Sequence, residues 1–335
     1  MKSSPAGSAT QITGAASAAE LVGQRLEPTA DSCPAAAADR VASPVRSFAR
    51  ILGYGKRTDH VAQLLGVRAL EARGKAPAGL VRFGLGPDQL AFAYALQDEL
   101  MAKLITPSNR LVGWKIGFST IEGRKPLGIS EPAYGPLFSG GNVNGPVKTS
   151  SFANLLVEQE VVLVLRKDID RSMSAAELED AIGAVHLGFE LPSKRFKGAP
   201  GAPDGPTAGD MIADCLAAHS FKLGPELPKT AATSTTLDLT ITRDGAPLAV
   251  GSTGKLDDGQ GGQGALQALR WLVEKLVARR ARRGEGDTPV LRSGDIVYTG
   301  AVPGPLLFQH NGQSQASFVT QTSPSAKATL DVIVG

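Results

Sequence analysis

The feature that most constrains this chain is an apolar run at residues 157–165, VEQEVVLVL, whose first half contains two glutamates separated by one residue. Its second half is rich in Val and Leu, which predicts a buried strand. Side chains alternate between the two faces of a strand, so Glu158 and Glu160 would lie on the same face. Two buried carboxylates that close repel each other, and a bound divalent cation would remove the repulsion. The alternative is a solvated strand end at which both glutamates face water.

The overall composition indicates a globular protein without a strong charge preference. The chain has 335 residues, enough for one large domain or two smaller ones, and 42% of them are hydrophobic. Its 35 basic and 32 acidic residues are mixed along the chain and leave a formal charge of +3. This balance predicts no binding to nucleic acid. The dense basic stretch at 279–283 ends a predicted helix, where positive charge suits the helix dipole, and we interpret it as a solvated helix end.

The cysteines and the hydropathy pattern bear on the cell compartment. Cys33 and Cys215 lie far apart and form no CxxC pair, which argues against a disulfide framework and a thiolate zinc site. No apolar run approaches the roughly 18 residues that a membrane span needs. No apolar segment of the kind found in secretory signals follows the first residues. We therefore predict a cytoplasmic protein that does not associate with membranes.

Composition and periodicity divide the chain into three parts. Residues 1–55 are rich in Ala, Ser, Pro and Gly, which predicts a disordered or loosely packed extension. Residues 56–110 carry apolar side chains at helical spacing, with a break at 75–79 and a second helix beginning near Pro87. Residues 111–335 alternate short apolar runs with Gly and Pro turns, which predicts a sheet-rich domain.

Four segments of this third part carry specific signals. Asp244 and Gly245 separate two apolar runs and predict a hairpin. Residues 264–280 show the apolar stripe of an amphipathic helix, and residues 294–300 predict a strand between two turns. The stretch 259–264 is glycine-rich, but it lacks the Lys-Ser/Thr of a phosphate-binding loop, so we interpret it as a flexible loop.

Seven short segments, none decisive alone, are informative through their joint order and spacing. They are residues 93–98, 112–117, 134–138, 158–160, 189–195, 212–214 and 294–300. In this order they resemble the 2-keto-4-pentenoate hydratase / 4-oxalocrotonate decarboxylase group of the fumarylacetoacetate hydrolase (FAH) superfamily. The resemblance covers about residues 57–335. It implies an α+β fold, in which an FAH-like rolled mixed β-sheet with flanking helices follows a small helical N-terminal part.

The resemblance also implies a metal site. Members of this family bind Mg²⁺ or Mn²⁺ through two glutamates of an E-x-E pair and a third, later glutamate, which correspond here to Glu158, Glu160 and Glu190. Three carboxylates would leave positions open for water and substrate on a hard octahedral cation. His186 lies four residues before Glu190, but such a cation does not need it, and we interpret it as a core or surface histidine.

The substrates that the resemblance implies are small 2-oxo acids, which can chelate the metal through a carboxylate oxygen and the keto oxygen. The metal would then stabilise the enolate through which hydration and decarboxylation both pass. Lys115 matches the family's active-site lysine and could neutralise the substrate carboxylate, or shuttle a proton if burial lowers its pKa. The resemblance further implies a homo-oligomer, with a complex with a related lyase as the alternative.

Departures from the family pattern bear on the choice of reaction. Hydratases of this group usually have an acidic residue where this chain has Ala133, and the decarboxylases usually have an apolar one. Glu131 lies nearby and could compensate only if the local backbone is extended. The family's Asn and Ser are replaced by Cys215 and Ala217. His219 and the adjacent serine are candidates to take over their roles.

Four functions therefore remain open at this stage. We expect a divalent-metal-dependent lyase that hydrates a 2-hydroxypenta-2,4-dienoate-type substrate in aromatic degradation, and a 4-oxalocrotonate-type decarboxylase is the alternative. An acylpyruvate hydrolase would need a histidine–glutamate pair that activates water. The four histidines, His60, His186, His219 and His310, offer no segment that matches such a pair. A non-catalytic structural partner is the fourth possibility, but it would not need to keep three carboxylates together.

Overall fold

The computed structural model describes residues 54–75, 79–309, 312–322 and 326–335. The extension predicted for residues 1–55 lies outside the described residues except for its last two, and it stays a prediction. The helices are α1 (Tyr54–Ala72), α2 (Leu90–Leu104), α3 (Ile121–Arg124), α4 (Ala175–Ala181), α5 (Ala208–Ala213) and α6 (Ala265–Arg283). The strands are β1 (Leu111–Gly117), β2 (Ala133–Phe138), β3 (Val147–Lys148), β4 (Leu156–Leu165), β5 (Ile182–Leu191), β6 (Ser220–Leu227), β7 (Asp238–Arg243), β8 (Ala246–Ser252), β9 (Ile296–Tyr298), β10 (Leu306–Leu307), β11 (Gln315–Thr322) and β12 (Lys327–Ile333).

Helices α1 and α2 precede the first strand, as the apolar spacing predicted. Val61 and Leu64 of α1 are buried one turn apart, and Leu96 and Leu100 of α2 are fully buried in the same way. All four belong to the hydrophobic core that the strands also build. The helical part therefore shares one core with the sheets, and the boundary near residue 110 stays a prediction.

The larger sheet is mixed, and its central strands carry the predicted glutamates. Its strand order is β2-β1-β9-β4-β5-β6, and β10 pairs with the first residues of β4. Strands β1 and β9 run parallel to each other, while the other neighbouring strands of this order are antiparallel. Nearly every residue of β4 and of β5 is buried, so both faces of these two strands are covered. The buried strand predicted at 157–165 is confirmed.

Gln159, between the two glutamates, connects β4 to the second sheet, whose strand order is β3-β12-β11-β7-β8. Its side-chain amide donates to the carbonyls of Leu239 (3.0 Å) and Val302 (2.8 Å), and its oxygen accepts from the Thr320 hydroxyl (2.6 Å). Because side chains alternate along a strand, the amide lies on one face of β4 and the two glutamates lie on the other.

The hairpin predicted at Asp244 and Gly245 is present, because these two residues alone separate β7 from β8. Both have positive φ, 50° and 81°, as the favoured two-residue hairpin turn requires. The strand predicted within 294–300 is β9, and residues 259–264 form a loop.

Helix α6 confirms the prediction made for residues 264–280 and continues to Arg283. The interpretation of 279–283 as a solvated helix end holds for Arg282 and Arg283, which are exposed, but is wrong for Arg279, which is half-buried. Arg279 and Arg283 form ion pairs with Asp98 of α2 at 2.6 Å and 2.9 Å. The sequence could not show this pairing, because it depends on α2 lying beside the end of α6.

The longest described helices, α1 and α6, have 19 residues each. Neither these two nor any other helix within the described ranges is long and apolar enough to cross a membrane.

Replacing Gln159 with leucine should destabilise the fold without touching the glutamate face. The Q159L substitution removes three buried hydrogen bonds, which the amide makes with two carbonyls and a hydroxyl. Removing the partner of a buried polar group costs on the order of 1–3 kcal/mol, so we expect a loss of several kcal/mol in the free energy of unfolding by urea denaturation. Q260L, at an exposed loop position, is the matched control. Equal urea midpoints for the two variants would contradict this role of the amide.

Candidate active site

The register of two central strands places the three predicted glutamates together. In the antiparallel pair β4–β5, Glu158 lies directly opposite Glu190, and Glu160 lies opposite Gly188. The three side chains therefore share one face of the sheet. Each offers a carboxylate oxygen, and these oxygens lie within 4.8 Å of one another.

This carboxylate cluster is buried, so the alternative of a solvated strand end does not apply. Glu160 and Glu190 are 0% exposed, and Glu158 is 9% exposed. One Glu160 oxygen accepts the Gly300 N–H at 2.7 Å. Its other oxygen, and the Oε2 atom of Glu190, accept no hydrogen bond within the described part of the chain. Buried carboxylate oxygens without donors are costly, so they call for a cation or a proton.

Lys115 supplies the positive charge nearest to the cluster. Its Nζ atom lies 2.6 Å from Oε1 of Glu190 and donates to the carbonyl of Leu216 at 3.1 Å. Burial alone would lower the pKa of Lys115, but the neighbouring glutamates, Glu190 first, raise it above its ordinary value. The ammonium therefore stays charged beside the carboxylates. A proton-shuttle role that depends on a lowered pKa is not supported in this arrangement.

One ammonium cannot compensate three buried carboxylates, and the pKa values of Glu158 and Glu160 are both raised. Burial, followed by the charge of Glu190, raises the pKa of Glu158 from its ordinary 4.5 to about 8, although Lys115 opposes the shift. Burial and the other two glutamates raise the pKa of Glu160 well above its ordinary value. The cluster therefore retains protons at neutral pH unless a cation replaces them.

The carbonyl that Lys115 binds belongs to a strained turn. Cys215, Leu216 and Ala217 all have φ between 52° and 60°, a left-handed conformation that residues other than glycine rarely adopt. Strain of this kind costs on the order of 1–3 kcal/mol per residue and persists only where the surroundings enforce it. Gly135 allows β2 to approach this turn, because a Cβ atom there would lie 2.5 Å from the Cys215 carbonyl oxygen.

A buried ion-pair network holds the residue before the turn. Arg195 donates to both Asp214 oxygens at 3.0 Å and 3.2 Å and to Glu71 at 2.8 Å. Arg68 also donates to the Asp214 carboxylate at 2.8 Å and to the Ala218 carbonyl. Asp214 and Arg195, which both lie in segments of the resemblance, thus fix the ends of the strained turn.

Tyr298 is a site residue that the sequence reasoning missed. In the register it pairs with Lys115 on one side and Val162 on the other, and its side chain is fully buried. A Cβ atom at Gly188 would lie 3.1 Å from the phenolic oxygen, so the hydroxyl extends over the residue opposite Glu160. Within the described residues the hydroxyl has no hydrogen-bond partner. Burial, then Glu160 and Glu190, raise its pKa well above the ordinary value, so it remains a neutral donor.

A signal for Tyr298 was present in the sequence. Tyr298 lies two residues before Gly300, in a run with a buried-strand pattern. The hydroxyl of a buried tyrosine usually has a hydrogen-bond partner. Only the pairing of β9 with both β1 and β4 shows that this hydroxyl lies beside the carboxylate cluster.

A cavity of about 520 Å³ lies next to the cluster. Lys115 and Glu158 line it, whereas Glu160 and Glu190 lie behind them. The strained turn contributes Leu216 and Ala217 to the wall. The geometry therefore gives a small molecule access to one glutamate, the lysine and the turn.

The residues that depart from the family pattern lie in different places. Ala133 is buried opposite Gly117 and does not line the cavity. Glu131 forms an ion pair with Lys275 at 2.5 Å, so it does not replace an acid at position 133. His219 is half-buried and packs against the ring of Phe152, is hydrogen-bonded to Ser220 and does not line the cavity. The suggestion that His219 and Ser220 replace the missing amide and hydroxyl is therefore wrong.

No histidine of the described residues joins the carboxylate cluster. His60 stacks on Phe83, and burial lowers the pKa of His219 to about 3. His186 lies in strand β5 and is a buried core histidine, one of the two locations expected for it, and its ring contacts the Gly224 carbonyl. His310 lies outside the described residues.

Without a bound divalent cation, raising the pH from about 5 to about 8 should lower the free energy of unfolding. Glu158 and Glu160 hold protons more tightly in the folded than in the unfolded chain. The folded state therefore binds more protons in this window, and its stability falls as the pH rises. Calorimetry with a chelator should show a falling Tm, and added Mg²⁺ should restore more stability at the higher pH.

The matched variants for this pH experiment are E158Q, which should flatten the dependence, and E179Q at an exposed position of α4, which should not. A Tm that stays constant or rises through the window in the presence of chelator would contradict the assignment.

Replacing Gly135 with alanine should displace the strained turn. The new Cβ atom would lie 2.5 Å from the Cys215 carbonyl oxygen and 2.9 Å from the carbonyl carbon, and backbone cannot move aside cheaply. We expect a loss of about 1–3 kcal/mol in urea unfolding. G145A is the matched control, because no atom lies within 4 Å of its Cβ position. Equal stability of the two variants would show that the turn does not depend on this contact.

Comparison with known proteins identifies the family. No protein-family model matches the chain. The chain is 30% identical over 233 residues to the TodF product hydratase of Pseudomonas putida strain F1, covering 68% of this chain and 79% of that protein. It is 31% identical over 221 residues to a 2-keto-4-pentenoate hydratase of Paraburkholderia phymatum, covering 64% and 76% respectively.

A solved structure shares the fold. The 4-oxalocrotonate decarboxylase of Pseudomonas putida G7, complexed with calcium and acetate, matches with a TM-score of 0.67 at 16% identity. The match covers 84% of this chain and 99% of that one. This likeness confirms the predicted α+β, FAH-like fold. The curated relatives show that the chain belongs to the 2-keto-4-pentenoate hydratase family and is, as predicted, an enzyme of the lyase class.

Proposed function

We propose that this enzyme hydrates a 2-keto-4-pentenoate-type substrate, 2-hydroxypenta-2,4-dienoate, with Mg²⁺ or Mn²⁺ bound by Glu158, Glu160 and Glu190. The observation that carries the proposal is the convergence of three buried carboxylates beside Lys115 at one end of a cavity. The names of the curated relatives support the reaction.

The donor set fits a hard divalent cation. Carboxylate oxygens are the ligands that Mg²⁺ and Mn²⁺ prefer. The Glu160 Oε1 and Glu190 Oε2 atoms have no hydrogen-bond donor in the described part of the chain, so they are free to bind a cation. The related decarboxylase was crystallised in one form with calcium and acetate and in another with magnesium and adipate. When bound, the cation supplies a Lewis acid that polarises the oxygens of a 2-oxo acid.

The residues of this chain would prepare the site around that cation. Lys115 lines the cavity as a charged ammonium and can neutralise the carboxylate of the substrate. The Leu216 carbonyl and Glu190 hold the ammonium in place. Tyr298 remains protonated and can donate a hydrogen bond to a water or to a glutamate oxygen in the cluster. The network at Arg195 fixes the turn that carries the Leu216 carbonyl.

Hydration is favoured over decarboxylation by the relatives rather than by one residue. Ala133 had pointed toward a decarboxylase, but its side chain does not line the cavity, so that argument loses its physical basis. The decarboxylase of known structure is only 16% identical, which supports the fold alone. Decarboxylation of a 4-oxalocrotonate-type substrate remains the second candidate. A homo-oligomer in the cytoplasm, or a complex with a related lyase, remains a prediction.

The other two functions have less support. An acylpyruvate hydrolase would need a histidine beside a glutamate, and none of the described histidines lies in the carboxylate cluster. A purely structural partner would have no reason to bury three carboxylates together when two of their oxygens accept no hydrogen bond from the described residues, because such a cluster destabilises the fold.

Turnover with Mg²⁺ tests the proposal. Purified protein with 2-hydroxypenta-2,4-dienoate should show loss of dienol absorbance that a chelator abolishes, and 2-oxohex-3-enedioate should be consumed more slowly. E190Q should lower kcat/KM at least about 100-fold and weaken Mn²⁺ binding measured by calorimetry, because it removes a ligand charge. The control E179Q should change neither quantity. Failure to consume either substrate, or an unchanged Mn²⁺ affinity in E190Q, would contradict the proposal.

A further inference from the structure

The cavity beside the carboxylate cluster is larger and more apolar than a five-carbon acid requires. Its volume of about 520 Å³ lies within the range of roughly 300–1,000 Å³ that holds drug-sized ligands. Away from Lys115 and Glu158, the wall is formed mainly by apolar side chains, among them Phe118, Leu127, Phe196, Met211 and Leu216. Leu127 and Phe196 are buried, so they belong to the wall of the cavity rather than to its rim.

The cations of the cavity wall are almost all engaged. Among the described lining residues, the positive side chains are Lys115, Lys194 and Arg195. Lys115 is paired with Glu190 at the metal end. Arg195 is 1% exposed and its guanidinium is bound to two carboxylates, Glu71 and Asp214, so its charge is already compensated. Only Lys194, which is partly exposed, remains for a second negative charge on a ligand.

We infer that the preferred substrate is a 2-oxo acid with a single carboxylate and with an alkyl or aryl substituent that extends it beyond five carbons. This inference rests on the proposed function, because it places the 2-oxo acid end at the carboxylate cluster. The substituent then occupies the apolar part of the cavity. The same argument disfavours dicarboxylates, which are the substrates of the alternative decarboxylase reaction.

The energetic argument has two parts. Each buried methylene group contributes about 0.8 kcal/mol, which corresponds to about a fourfold increase in affinity. A second carboxylate placed among the apolar side chains would lose its hydration and could pair only with the partly exposed Lys194, and a poorly paired buried charge is unfavourable. Chain length should therefore increase affinity, and a terminal carboxylate should decrease it.

Binding of saturated 2-oxo acids tests the inference without turnover, since they lack the double bond to which water adds. Calorimetry on the full chain loaded with Mn²⁺ would compare 2-oxopentanoate, 2-oxohexanoate, 2-oxooctanoate and the dicarboxylate 2-oxohexanedioate. We expect Kd to fall by about threefold or more for each added methylene group. We also expect 2-oxohexanedioate to bind at least about tenfold more weakly than 2-oxohexanoate.

Three variants assign the effect to the cavity. M211Q places a polar group of similar size in the wall and should weaken 2-oxooctanoate binding several-fold more than 2-oxopentanoate binding. M173Q, at a position outside the cavity lining, should leave both affinities unchanged. K194M removes the one remaining cation of the described cavity wall and should weaken 2-oxohexanedioate binding more than 2-oxohexanoate binding.

The outcomes separate this inference from the proposed function. Equal affinity across the chain-length series, or tightest binding of 2-oxohexanedioate that K194M abolishes, would overturn the inference alone. Absence of binding by every 2-oxo acid in the presence of Mn²⁺ would overturn the inference together with the proposed function. Increasing affinity with chain length, without hydration of any 2-hydroxy-2,4-dienoate, would support the inference and contradict the hydratase proposal.

Discussion

The mutual repulsion of three buried carboxylates is the constraint on which the rest of the site depends. Strand pairing places Glu158 directly opposite Glu190, with Glu160 on the same face, an arrangement that destabilises a sheet unless charge is compensated. Lys115 compensates part of it, but burial and the charge of Glu190 still raise the pKa of Glu158. Such a cluster destabilises the fold when no cation is bound and stabilises it when a cation is bound. This difference is a physical basis for tight metal binding.

The surrounding structure holds this arrangement in place. Gln159 fixes the opposite face of β4 to the second sheet, so the strand cannot turn its glutamates toward solvent. On the other side, Arg195 and Asp214 hold a left-handed turn whose carbonyl binds Lys115. Strained backbone beside charged groups is common at functional sites, where surrounding contacts offset its cost. The position of the lysine thus depends on this network as well as on its ion pair with Glu190.

Much of the fold was predictable from local patterns. The strand at 157–165, the hairpin at Asp244 and Gly245 and helix α6 follow from periodicity and turn chemistry, which act over a few residues. The basic end of α6 was misinterpreted because the partner of Arg279, Asp98, lies 181 residues away in the chain. His219 was misjudged for the same reason, because its packing against Phe152 is a tertiary contact.

The sequence by itself determined that Glu158 and Glu160 share one face of a buried strand, because side-chain alternation is a local property of the backbone. The family resemblance named Glu190 and Lys115 as their companions. Only the tertiary structure decided that Glu190 lies opposite Glu158 and that Tyr298 reaches the cluster, because strand register joins residues far apart in the chain. It also decided that Arg195 adds no free charge to the cavity wall, because Glu71 and Asp214, which neutralise it, come from separate segments of the chain.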